Sequence, residues 1–166
     1  SALPTSAGLA GTELLQAASD GRLAALVVGG VELADYPNPA LAEAAVNAAG
    51  FVVSFENHHS AVTAAADVVF PVAVVTEKAG TFLDWEGRPR PFSQVFRAAL
   101  TMSDARVLAM IAEAMGASVP ADVPALRKEM GSLGPWTGAR ASTPDSPAAE
   151  DAEGVRLASW RQLLDS

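Results

Sequence analysis

Three short, unbroken apolar runs set the strongest limit on the fold: residues 23–28 (LAALVV), 51–55 (FVVSF) and 67–75 (DVVFPVAVV). A run that does not alternate apolar with polar residues reads as a strand covered on both faces, as in a parallel sheet. An alanine-rich segment separates the first two runs. The order β-α-β-α-β follows, an α/β chain with a small parallel sheet and helices on both faces. Residues 56–66, about a dozen, are near the minimum for a parallel crossover. Pro71 has no N–H for a ladder, so regular pairing is expected to stop about there.

The helices have recognisable ends. Thr12 is expected to cap the first, with Glu13 at the positive end of its dipole, Leu14, Leu15 and Ala18 on its apolar face and Gly21 closing it. Asn38 followed by Pro39 starts the next, and Leu41, Ala44, Ala45 and Ala48 form a stripe suited to lying on a sheet. Ser103 and Asp104 open a third, with Val107, Met110, Ile111 and Ala114 as its buried stripe and Gly116 at its end. A shorter helix is expected at 123–130, between Asp122 and Gly131. Residues 138–154 lack periodicity and carry prolines and acidic residues, which reads as a mobile linker. Leu157, Trp160 and Leu164 then give an amphipathic helix. The expected divisions are an α/β subdomain at 1–131, a flexible acidic linker at 132–154 and a C-terminal helix at 155–166 leading into a missing part of a longer chain.

At 166 residues one sizeable core is expected. A net charge of −8 argues against nucleic acid or an anionic membrane surface as a direct partner. With no cysteine, disulfides, thiolate metal sites and iron–sulfur ligation are excluded within these residues. No apolar run approaches the roughly 20 residues needed to span a bilayer. The first residue is not Met and a helix is expected to run to the last, so an excised fragment is expected.

The chemistry concentrates after the third run, where Glu77, Lys78, Asp84, Glu86 and Arg88 alternate with Gly80 and Gly87. A loop leaving a buried strand is where open α/β folds place binding groups. Yet Glu77 and Glu86, as a carboxylate pair, and Thr81, as a nucleophile, lack a base or orienting partner. The plainer reading is an ion network in which Arg88 and Arg90 hold an irregular backbone, with Trp85 wedged against a neighbour. Gly29-Gly30 follows a strand, but GGVELA is neither G-x-G-x-x-G nor a Walker loop, and a tight turn is the better reading. His58 and His59 lack accompanying ligands at metal spacing, so solvent-facing or locally hydrogen-bonded histidines are expected and no metal site.

Together, A-D-V-V-F-P at 66–71 and E-K-A-G-T-F-L-D-W-E-G-R at 77–88 resemble the molybdopterin oxidoreductase superfamily, whose pattern is approximately A-D-V-V-L-P then E-x-x-G-T-x-x-N-x-E-G-R. The E-K-A-G-T-F form, Trp85 before Glu86, and V-V-G-G-V-E at 27–32 are similar to the branch found in the large peripheral subunit of bacterial respiratory complex I. The resemblance covers about residues 3–116. It implies a Rossmann-like α/β subdomain, with Glu77, Gly80, Thr81, Asp84, Glu86, Gly87 and Arg88 as the family-motif loop and no catalytic residue. In catalytic relatives such a subdomain helps enclose a bis-pterin molybdenum or tungsten cofactor. In the complex I branch the cleft is regarded as vestigial, and iron–sulfur clusters nearer the N-terminus of the parent carry the electrons. The implied partners are the rest of the parent subunit and other complex I subunits, in a peripheral arm on the cytoplasmic side of the inner membrane. Asp84 departs from the usual asparagine, adding a charge that disfavours a nearby pyrophosphate. Two alternatives follow other features. One is a cofactor-enclosing part of a catalytic molybdenum oxidoreductase such as a formate dehydrogenase or nitrate reductase. The other is an interaction module built on the acidic linker and the Trp160 helix.

Overall fold

The computed structural model describes residues 8–134, except 85, 98 and 99. The linker and C-terminal helix expected beyond 134 lie outside these residues, as does Trp85. Three strands, β1 (Leu26–Gly29), β2 (Val52–Glu56) and β3 (Val68–Pro71), form a parallel sheet in the order β1-β2-β3. The register sets Leu26 beside Val52 and Val53 beside Val68. Each strand is shorter than its apolar run. Residues 23–25 stay outside β1. β3 stops at the proline, beyond which Val72 makes one isolated bridge to Met102 and residues Val75–Glu77 form a 3-10 turn.

Strand alternation divides the core into two layers around β2. On one side Val52 packs with Leu33, with Ala42 and Val46 of α2 (Pro39–Ala48) and with Val62 of α3 (Ala61–Ala65). On the other, Phe55 packs with Val72 and with Val107 of α4 (Asp104–Ala114). Helices therefore cover both faces, as expected. α1 (Gly11–Ser19) lies on α2 through small residues, Ala17 and Ala18 being fully buried. Asp67 links two strands, accepting from the Val52 N–H at 2.7 Å and donating its own N–H to the Val52 carbonyl at 2.9 Å.

Several helix details differ from the sequence expectation. α1 starts at Gly11, so Thr12 lies inside it and caps nothing. Asn38 caps α2 as expected, its Oδ1 accepting from the Leu41 N–H at 3.1 Å, but the buried positions are Ala42, Ala45 and Val46 rather than the stripe through Ala44 and Ala48. In α4, Val107 is buried and Ile111 half-buried, whereas Met110 is 50% exposed. α5 (Val123–Ser132) is capped by Asp122, and Gly131 lies within it instead of stopping it.

The crossover at 56–66 contains a helix that its length concealed. Ser60 Oγ accepts from the Thr63 N–H at 3.2 Å and Thr63 Oγ1 accepts from the Ser60 N–H at 2.8 Å, a capping box that lets one and a half turns suffice. Ser60→Ala is expected to lower stability by about 1 kcal/mol, measured by urea unfolding. A Ser60→Ala protein with an unmoved midpoint would show that the cap is idle.

Candidate functional site

The largest difference from the sequence reading is at the motif stretch. What reads as a charged loop is an antiparallel hairpin of β4 (Gly80–Leu83) and β5 (Pro89–Phe92). Asp84 builds its turn. Its Oδ1 accepts the N–H groups of Glu86 at 3.0 Å and Arg88 at 2.9 Å, and Gly87 takes a φ of +78° that other residues rarely adopt. Arg88 pairs with Glu86 at 2.6 Å and Arg90 with Asp84 at 3.3 Å, the ion network expected of the two arginines. Glu77 accepts from Thr101 Oγ1 at 3.5 Å. Gly80 and Thr81 are held from α5, where Arg127 donates to the Gly80 carbonyl at 2.8 Å and to Thr81 Oγ1 at 3.1 Å.

Asparagine at 84 offers the same Oδ1 acceptor, so the turn explains why either residue serves. Asp84→Asn is expected to lose only the exposed Arg90 pair and to cost under about 1 kcal/mol. Asp84→Ala, which also removes the turn acceptor, should cost about 1 kcal/mol more. Equal unfolding midpoints for the two variants would refute that assignment.

A crevice of about 340 Å³ opens elsewhere, where the ends of β1 and β2 face α4. This is the edge at which open α/β sheets usually bind ligands. β1 ends at Gly29-Gly30, with Gly30 at a φ of +61° and its N–H donated to the Phe55 carbonyl at 3.2 Å, the tight turn expected. Glu56, the last residue of β2, is buried beneath this turn, and its Oε1 accepts from the Val31 N–H at 3.3 Å. Lys78 lines the same crevice and pairs with Asp104 at the first turn of α4. No described motif residue from Gly80 to Arg88 lines it. A larger hollow of about 530 Å³ beside α5, lined by Val119, Lys128 and Glu129, also holds none.

Sequence reasoning missed Glu56, Arg127 and the Asp104 partner of Lys78. A charged residue closing an otherwise apolar run was the one available signal for Glu56. His58 lies outside the crevice lining, with Nε2 2.9 Å from Glu32 Oε1 and Nδ1 2.7 Å from Asn57 Oδ1, locally hydrogen-bonded as expected. Among the described residues no group of three His, Asp or Glu side chains is placed to hold a metal ion. No helix among them is long and apolar enough to cross a membrane.

Residues 2–114 match the family model described as Molybdopterin oxidoreductase. The chain belongs to the molybdopterin oxidoreductase family. Within that family, it is 47% identical over 172 residues to a NADH-quinone oxidoreductase subunit of Mycobacterium bovis, covering 98% of this chain and 21% of the relative. The Streptomyces coelicolor protein of the same name is 46% identical over 166 residues, covering 92% and 19%. A Pseudomonas fluorescens protein of that name is 38% identical over 82 residues, covering 49% and 9%. The chain thus spans about a fifth of the length of the first two relatives.

The pterin cofactor of catalytic family members carries pyrophosphate. The described residues do not fit it at the strand ends. Glu56 places a carboxylate against the Val31 N–H, a donor that an anion would otherwise use, and the crevice's one ammonium is held by Asp104. An anionic ligand would meet like charge there.

Proposed function

We propose that this chain is a structural, non-catalytic segment of the large peripheral subunit of NADH-quinone oxidoreductase. It supports electron transfer from NADH to quinone that is carried out elsewhere in the complex. The observation that carries this reading is the buried Glu56 carboxylate at the strand-end crevice, together with an ion pair that occupies the crevice's cation. The relatives named as subunits of NADH-quinone oxidoreductase support it from the side of sequence.

On this reading the motif hairpin is retained scaffold. Asp84, Glu86 and Arg88 direct their hydrogen-bonding capacity to each other and to the turn. The parent subunit holds iron–sulfur clusters in its other parts and meets its fellow subunits in the peripheral arm, on the cytoplasmic side of the inner membrane. Metal and pterin analysis of the purified full-length subunit is expected to find iron and no stoichiometric molybdenum, tungsten or pterin. Stoichiometric pterin with either metal would establish instead the cofactor-enclosing role found in catalytic relatives.

A further inference from the structure

We propose that the crevice over β1 is the seat of a basic side chain, an arginine or lysine on an apolar segment of the same, longer subunit outside this chain, with Glu56 as its counterion. The inference rests on the reading of the chain as part of a longer subunit. Glu56 is 4% exposed, and the hydrogen bond it accepts from Val31 is a long one at 3.3 Å. A carboxylate so deeply buried needs more compensation than one backbone donor. Among the described residues no lysine or arginine forms an ion pair with it. Lys78, the cation that shares its crevice, is held by Asp104.

Glu56 and Asp104 against Lys78 leave the crevice one negative charge in excess, which one inserted cation would neutralise. Its walls suit the stem of such a side chain. Val27 of β1 is 63% exposed on the sheet face that α4 leaves bare, and Leu108 of α4 is 46% exposed. Lysine and arginine bury aliphatic stems on such surface while the head reaches a carboxylate. A phosphate-bearing ligand has the wrong sign. A second copy of this chain, with a net charge of −8, approaches against repulsion. The relatives, by contrast, hold about four-fifths of their length outside the matched region. That polypeptide is tethered and present at high effective concentration.

Hydroxyl-radical footprinting of the isolated full-length subunit tests this, reading the labelling of Val27 and Leu108. Both are expected to be protected, and Glu56→Gln is expected to shift the equilibrium toward the open crevice by roughly thirty-fold or more, as when one partner of a buried ion pair is truncated. Val27→Asp, on an exposed position that cannot unseat the core, should release Leu108 in the same way. Free labelling of both residues in the isolated subunit would overturn the proposal while leaving the structural role intact. Protection that appears only in the assembled complex, or only on dimerisation, would assign another occupant and overturn it too. So would protection indifferent to both substitutions, which would mean apolar docking without a counterion. Release of a pterin nucleotide on acid treatment would refute the structural role as well.

Discussion

Phe55→Ala is expected to destabilise the protein by about 3–5 kcal/mol, the largest effect of any single truncation in this sheet. Phe55 is 5% exposed on the central strand and fills the space between the sheet and α4, touching Val72 and Val107. Its ring stacks on Phe70 of β3 with centroids 5.6 Å apart. The side chain therefore joins two strands to the helix that carries Asp104, and its removal leaves a cavity that a backbone fixed on both sides cannot collapse into. Urea unfolding followed by circular dichroism measures the loss. Phe55→Leu, which keeps most of the volume, should cost roughly 1–1.5 kcal/mol. If alanine and leucine proved equally mild, Phe55 would not be the joint between sheet and helix.

Much of this architecture is legible in the sequence because it depends on local patterns. The three apolar runs mark the three strands in order, and Pro71 marks the end of β3 because a missing N–H is a local fact. Asn38 with Pro39 and Asp122 mark their helices for the same reason. The buried stripe of α2 was less visible. Alanine gives almost no contrast between faces, so position alone could not select Ala42 and Ala45 over Ala44 and Ala48. The crossover helix α3 was hidden because its capping box pairs Ser60 with Thr63 rather than with a glutamate. The hairpin was hidden because charged residues and prolines obscure the strand alternation. The crevice depends on pairs far apart in sequence, Lys78 with Asp104 and Glu56 with Val31, which no local pattern announces.

Gly80→Val is expected to cost about 1–3 kcal/mol and to melt the hairpin first. A Cβ at position 80 would lie 2.6 Å from Cζ and 2.8 Å from Cε1 of Phe92, well inside van der Waals contact. Phe92 cannot simply give way, because its ring stacks on Phe82 with centroids 4.6 Å apart and that stack covers one face of the hairpin. Turning the ring aside would remove the main apolar contact of a two-stranded unit, and such units are marginal in water by themselves. It would also disturb the Gly80 carbonyl that accepts from Arg127 of α5. Hydrogen exchange of residues 80–92 should rise in the variant while the three-stranded sheet stays protected. The cause can be isolated with a double-mutant cycle. If the clash with Phe92 is responsible, Gly80→Val in a Phe92→Ala background should lose at least about 1 kcal/mol of its penalty. An unchanged penalty there would move the cause to the backbone of β4. A Gly80→Val protein with an intact, protected hairpin would show that the motif glycine is not needed for the fold.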